Sequence, residues 1–457
     1  MKKGKKAVES PKKFTSIPIQ NPNAAGIDIG DTIHAVAVPE GRDPEPVRIF
    51  KTMCCDLESI VQWLKDCHID TVAMESTGVY WKPLFTLLIR NGFEVFLVKP
   101  DHVKNITGRK TDMSDAAWIQ WLHSVGLLKS CYLPDEAQQT LRTLVRHRKT
   151  ILKDSSRFVL RMEKALELMN IKIHTVIADI TGKTGTAIVQ AIIAGERNAK
   201  NFLPLVDGRI KASLEDIEKS LQGHWQQDQL FMLESNYRAY QFLQEEIVKI
   251  DLEIEQALQQ YAAMNNDGAL PLIKTTPADQ KKESAKKKGK NNPAINIREY
   301  MKVILGTDVL EIYGLGEIGA LEIVSEAGSD MTKWPTAKHF VSWCSLCPNN
   351  KISGGKLLSS RVRKGSGSVG QAFRMIANSV QRSDNWLGDY FRRMKTKGGN
   401  KYAIVATANK IATIYYRMVK EKAPFNPVEI NEYQQKRKLA KIAYLERKLA
   451  TLKAETA

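Results

Sequence analysis

The sequence predicts a mixed α/β domain followed by a long, mostly helical remainder. Three observations predict it. Short apolar runs alternate with helix-spaced runs as far as about residue 130, two long seven-residue repeats lie between Leu141 and Tyr261, and the last third is helix-rich and punctuated by glycine. In the first region Ala24–Ile29, Ile33–Val38 and Val47–Phe50 read as strands. Leu57, Ile60, Val61 and Leu64 then recur at helical spacing. Thr71–Met74 is a further short strand, ending at Glu75. Val79–Arg90 reads as a helix stopped by Asn91-Gly92, and Phe93–Val98 as a strand stopped by Pro100. Strands alternating with helices in this way argue for a mixed sheet covered by helices.

From Leu141 to Met169, the positions Leu144, Ile151, Phe158 and Ala165 run beside Leu141, Ser155, Met162 and Met169 in a seven-residue repeat. From Leu230 to Tyr261, Leu230, Leu233, Tyr237, Tyr240, Ile247, Ile254, Leu258 and Tyr261 alternate in threes and fours, with Gln244 and Asp251 interrupting. Sustained heptads predict a coiled coil within the chain or between copies, with a core-packed helical hairpin as the plain alternative. The first of these helices carries a row of cations (Arg142, Arg146, Arg148, Lys149, Lys153, Arg157, Arg161, Lys164) against Asp154 and Glu163. The reading here is contact with a phosphate backbone. A final basic helix over Val428–Leu452 has Leu439, Ile442, Leu445, Leu449 and Leu452 on one stripe.

The chain has 457 residues, too many for one ordinary core, and 68 Lys+Arg against 50 Asp+Glu give a net charge of +18. Such an excess fits a polyanionic partner. No apolar run approaches the roughly 18–20 residues that span a bilayer. The lysine-rich start lacks the apolar stretch of a secretory signal, so neither a membrane-spanning nor a secreted protein is expected. The six cysteines have no framework spacing, and the single Cys344-Ser-Leu-Cys347 lacks a second pair or nearby histidines, so free thiols are expected.

Four carboxylates stand out. Asp28 and Glu75 end apolar strands, while Asp112 and Asp115 lie within Lys110-Thr-Asp112-Met-Ser-Asp115-Ala116. A carboxylate beside apolar strand residues is costly unless it is paired or bound to a cation. Asp112 and Asp115, three apart, share a helix face, and like charges that close repel until a divalent ion relieves them. Singly, each has a plain alternative as a turn residue, a helix cap or an ion-pair partner. Together, on so basic a chain, they suit one or two Mg²⁺ ions in phosphoryl transfer.

Farther on, Tyr313-Gly314-Leu-Gly316-Glu-Ile-Gly319 opens a helix over Ala320–Ala327, where backbone N–H groups could meet a phosphate or simply form a tight turn. Next come Lys351-Ile-Ser353-Gly354-Gly355-Lys356 and Arg361-Val-Arg363-Lys364. Residues 351–400 hold eleven Lys/Arg and two Asp, half the charge excess in about a ninth of the length. Lys351, Gly354, Gly355, Lys356, Arg361, Arg363 and Lys364 are therefore candidate phosphate contacts. Ser353 sits before two glycines, in ordinary loop composition, and a serine needs a base or metal to become a nucleophile.

Gly26-Ile-Asp28-Ile-Gly30, then Met74-Glu75-Ser-Thr-Gly78, then Lys110–Ala116 resemble the motifs of the DEDD-type insertion-sequence transposases, recombinases guided by a bridge or seeker RNA. The resemblance covers roughly residues 24–425. It implies a RuvC-like (ribonuclease-H-like) first domain with Asp28, Glu75, Asp112 and Asp115 as the Mg²⁺-binding tetrad. The heptad segments would then be a coiled coil, and the C-terminal transposase domain would be mostly helical with a helix-hairpin-helix at Gly314 and Gly316. It singles out Ser353 as the nucleophile that forms a phosphoserine link to DNA; Ser360, Ser366 and Ser368 are lesser substitutes. Asp31 departs from the basic residue often found in relatives. With the resemblance, the expected domains are a RuvC-like DEDD domain (23–132), a helical coiled-coil domain (133–264) and the transposase domain (297–427); composition and charge add a disordered basic tail (1–22), a basic flexible linker (265–296) and a basic C-terminal helix (428–457), which the resemblance does not cover. The implied partners are target and donor DNA, a structured non-coding guide RNA, and further copies in a homodimer assembling to a tetramer, in the cytoplasm of a bacterium or archaeon at the nucleoid. Two other readings stay open: a RuvC-like nuclease or junction resolvase that uses water, and a non-catalytic nucleic-acid-binding protein.

Overall fold

The computed structural model describes residues 18–100, 103, 115–265, 291–293, 295–362, 367–427 and 430–456. The chain divides into two compact units, one up to Leu133 and one from Pro134 onward.

The first unit is built on a five-stranded mixed sheet. Its strands are β1 (Ala24–Ile29), β2 (Ile33–Ala37), β3 (Val47–Lys51), β4 (Thr71–Glu75) and β5 (Glu94–Val98). Their order is β3-β2-β1-β4-β5; β2 lies antiparallel to β1 and β3, whereas β1, β4 and β5 run parallel. Parallel neighbours need crossovers, and the helices provide them. α1 (Cys54–Asp66) and α2 (Trp81–Arg90) cover one face, where Ile27, Ile29, Val72 and Met74 pack with Ile60, Leu64, Leu84 and Leu88. α3 (Asp115–Ser124) covers the other, where Ala73 and Val98 meet Trp118, Ile119 and Leu122. The predicted strands stand where expected. The predicted helix from Val79 begins instead at Trp81, because Gly78, Val79 and Tyr80 form a turn after β4.

In the second unit, two long helices, α4 (Glu136–Leu168) and α7 (Gln227–Met264), lie against each other. Arg148 of α4 bonds Asp251 of α7, and Gln244 bonds Ser155. Seven residues forward on one helix are seven back on the other, so the pair is antiparallel. The buried positions on α4 (Leu141, Val145, Arg148, Ile151, Ser155, Met162, Ala165, Leu166) repeat in threes and fours, as do Leu233, Tyr237, Tyr240, Ile247, Ile254, Leu258 and Tyr261 on α7. The seam therefore lies within one chain. Between the helices the chain forms α5 (Lys183–Ile193) and α6 (Leu214–Ser220). These close a small core around Phe202, Ile188, Leu221 and Leu233 at one end of the pair.

At the other end, Leu141, Ile254 and Leu258 join a larger core. It includes α8 (Ile297–Leu305), α9 (Glu317–Ala327), α10 (Ala337–Trp343), α11 (Ser368–Ser379) and α12 (Trp386–Glu421). Phe340, Phe373 and Tyr415 are among its largest fully buried side chains. A two-stranded hairpin, β6 (Lys351–Ser353) and β7 (Lys356–Ser359), stands out from the same core. The final helix α13 (Ile430–Thr456) packs Tyr433 against the core, whereas residues 434–454 are exposed, including the predicted stripe of Leu439, Ile442, Leu445, Leu449 and Leu452. All six cysteines are free thiols, and burial pushes Cys344 and Cys347 up from the ordinary thiol range. No helix is long and apolar enough to cross a membrane among the described residues.

Candidate functional site

Asp28 and Glu75 come together because of strand register. The parallel β1–β4 ladder ends with Ile27 opposite Met74, so Asp28 and Glu75 are the next residues at the carboxyl ends of adjacent strands. Side chains alternate across a sheet. Asp28 follows Gly26 by two and Glu75 follows Ala73 by two, which turns both carboxylates to the face that α3 covers.

The helix α3 runs back along that face. Gln120 Nε2 donates to the carbonyl of Ala24 at 3.1 Å, and the carbonyl of Ser124 accepts from the backbone N–H of Gln20 at 2.8 Å. The helix is thus antiparallel to β1, and its first residue, Asp115, lies toward the strand end that carries Asp28. Gly26 makes the approach possible: a Cβ there would sit 2.4 Å from the carbonyl oxygen of Ala116 and 2.2 Å from the N of Gln120. Asp115 is exposed. Asp112 and the rest of Lys110–Ser114 lie outside the described residues.

The donor set is all carboxylate oxygen, the chemistry that hard divalent cations prefer. Among the described residues, Glu75 accepts a hydrogen bond from the Thr77 hydroxyl at 3.2 Å. Each carboxylate oxygen has two lone-pair sites, so capacity remains for a cation. No group of three or more His, Cys, Asp or Glu converges as a ready metal cluster among the described residues. The chemistry of the strand-end pair nonetheless fits a divalent ion, which Asp28 and Glu75 could hold, with Asp115 toward the same strand end. In open α/β sheets, the carboxyl ends of the parallel strands are where ligands bind.

Two histidines lie near these elements. His34 of β2 is buried, its Nδ1 has no hydrogen-bond partner among the described residues, and desolvation lowers its pKa against the opposing effects of Ile33 and Asp28. His123 of α3 is buried with Nε2 2.9 Å from the Thr71 hydroxyl, and burial holds its pKa at about 4. Neither stood out in the sequence, because an isolated histidine on an apolar face carries no spacing signal.

In the second unit, Ser353 is the last residue of β6, paired with Lys356 across the turn Gly354-Gly355. Both glycines have positive φ, +55° and +74°, as a type I′ hairpin requires. In the sequence Ser353 stands before two glycines in ordinary loop composition; the structure gives it a defined strand end at an exposed hairpin tip, because the two glycines close a tight hairpin. Lys351 and Lys356 flank it, exposed, beside the exposed apolar side chains of Ile352, Leu357 and Leu358. Arg361 is exposed as well, while Arg363 and Lys364 lie outside the described residues.

Half of the basic row on α4 is paired with acids of other helices in the same unit. Arg142 and Arg146 both engage Glu326 of α9, Arg146 through two bonds of 2.6 and 2.8 Å. Lys149 pairs with Glu322 at 2.9 Å, and Arg148 is buried in the seam against Asp251. These four cations are matched within the unit by acids nearly two hundred residues away in sequence or across the seam. Lys153 and Arg157 remain exposed, Arg157 on Asp154. Gly314 forms a turn packed against the end of α11, with Val380 Cγ1 2.4 Å from where its Cβ would be. Gly316 is the N-cap of α9 and faces open space.

A mixed sheet with carboxylates at its central strand ends, followed by a mostly helical remainder, is consistent with a DEDD-type, ribonuclease-H-like domain. Residues 25–171 match the family model described as Transposase for DEDD transposases of the IS110 type, and residues 307–392 match the Transposase IS116/IS110/IS902 family. The chain belongs to this family of DEDD-type transposases, enzymes of DNA transposition. No curated protein matches it.

Proposed function

We propose that the protein is an RNA-guided recombinase of an insertion sequence, which cuts and rejoins DNA through Ser353 with the help of a divalent ion held by Asp28, Glu75, Asp112 and Asp115. The observation that carries this reading is the convergence of Asp28 and Glu75 at adjacent strand ends beneath the helix that Asp115 begins. A bound Mg²⁺ would supply charge neutralisation at the scissile phosphate. The carboxylates hold that charge, and the Gly354-Gly355 turn presents the Ser353 hydroxyl to solvent. In the reaction the serine oxygen bonds to phosphorus as one ester oxygen leaves, and the serine proton ends on the departing hydroxyl. The phosphoserine link conserves the bond energy, and a hydroxyl of a second strand reverses the step to rejoin.

In this reading the α4–α7 pair is the family's coiled coil and the Gly314–Gly316 turn its helix-hairpin-helix. The basic excess serves target DNA, donor DNA and a structured guide RNA. Tetrad and serine come from different copies in a dimer or tetramer. The test mixes a Ser353→Ala protein with an Asp28→Ala protein. Strand exchange that returns on mixing supports a shared site, and none on mixing refutes it. A water-using nuclease would instead leave Ser353→Ala able to cleave, with no protein–DNA adduct surviving denaturation.

A further inference from the structure

The cations of the second unit divide into two sets. Those on α4 are largely matched by Glu322, Glu326 and Asp251. Those around the middle of α12 are not. From Tyr390 to Lys420 the sequence holds no Asp or Glu. The nearest acid, Asp389, is taken by Arg437 of α13 in two bonds of 2.8 and 2.9 Å.

Within this stretch α12 breaks. Gly398 (φ −147°, ψ 15°) and Gly399 (φ 79°, ψ 179°) leave helical geometry, and helix resumes beyond them. The break is held from both sides. Leu387 and Phe391 before it, and Ala403, Ala408 and Ile411 after it, are fully buried in the core. The Tyr402 ring lies against Gly398, where a Cβ would be 2.8 Å from the ring carbons, and is itself half exposed. Residues 395–402 are all exposed. Arg392 is tethered to the carbonyls of Gln381 and Ser383, and Arg393 stacks on Tyr390. Lys395, Lys397 and Lys401 form no ion pair among the described residues. An anchored elbow that concentrates unmatched positive charge costs self-repulsion, which a polyanion relieves.

We propose that the elbow at Gly398-Gly399 is a contact site for a nucleic-acid phosphodiester backbone, with Lys395, Lys397 and Lys401 as the phosphate-neutralising groups and Tyr402 beside them. This deepens the reading of the protein as a DNA-acting recombinase and rests on it. Sequence-independent backbone binding is expected, since lysines neutralise phosphates without reading bases.

The test is the salt dependence of binding to a random-sequence DNA duplex and to an RNA duplex of the same sequence, measured by fluorescence anisotropy. The variant Lys395→Gln/Lys397→Gln/Lys401→Gln is compared with Lys183→Gln/Lys200→Gln/Lys211→Gln, which removes the same charge from exposed lysines elsewhere. Each lost phosphate contact lowers the slope of log K against log salt by about 0.9 on B-DNA, so the elbow variant should lose about 2–3 in slope and roughly 10–100-fold in affinity near 0.1 M salt. The control should lose far less. A slope that drops on RNA alone assigns the elbow to the RNA backbone and supports the site. Equal losses in both variants, or none in the elbow variant, overturn the elbow while leaving the recombinase reading in place. Wild-type protein that binds neither duplex overturns both.

Discussion

The buried pair between Arg148 and Asp251 gives the sharpest test of how the second unit is held together. The Arg148 side chain is 5% exposed and that of Asp251 14%. Arg148 donates to Asp251 at 2.5 and 3.3 Å and to the backbone carbonyl of Asn291 at 2.9 Å. Charge-assisted bonds of this kind are strong, but both ions were stripped of water to make them. Removing only the arginine, as in Arg148→Met, strands a carboxylate in the seam and should cost about 3–5 kcal/mol. Asp251→Leu strands the guanidinium and should cost a similar amount. The double change to Met and Leu restores an apolar layer of similar volume and should come back to within about 1 kcal/mol of the parent, or exceed it. Guanidinium unfolding followed by circular dichroism on the full chain gives all three values, and the cycle gives the coupling. Single changes that cost under about 1 kcal/mol, or a double variant as unstable as the worse single, would show that the pair is not desolvated as described.

Two further predictions concern the first unit. Gly26→Ala drives a methyl into the Ala116 carbonyl and the Gln120 amide, so it should destabilise by about 1–3 kcal/mol or more and reduce divalent-ion-dependent activity in the fraction still folded; a variant with parental melting temperature and activity would show that α3 does not sit flush on β1. His123 provides a pH test: its pKa is 6.5 in the unfolded chain and about 4 when folded, so its stabilisation is whole above pH 6.5 and is lost as pH falls from 6.5 toward 4, by about 3 kcal/mol in all. The difference in melting curves between the parent and His123→Gln across that window isolates it from the carboxylates, and parallel curves would refute it.

Much of the first unit could be read from the chain. Short apolar runs set the strands, and Asp28 and Glu75 stand out because a carboxylate closing an apolar strand has a cost that needs an explanation. Spacing also marked the seven-residue repeats of α4 and α7. It could not decide whether the repeats met each other or another copy, because heptads state what is buried and not against what. The bonds Arg148–Asp251 and Ser155–Gln244 decide it.

The charged face of α4 shows the limit most clearly. A row of cations read locally is a phosphate surface, and only the fold brings Glu322 and Glu326 to it from α9. On α12 the fold brings no acid to Lys395, Lys397 and Lys401 among the described residues, where composition alone made them one basic stretch among several. What the sequence determined by itself is what short-range physics fixes: strand and helix periods, and the presence of costly carboxylates. What only the tertiary structure decided is which charges face one another, since Coulomb interactions act through space and are indifferent to distance along the chain.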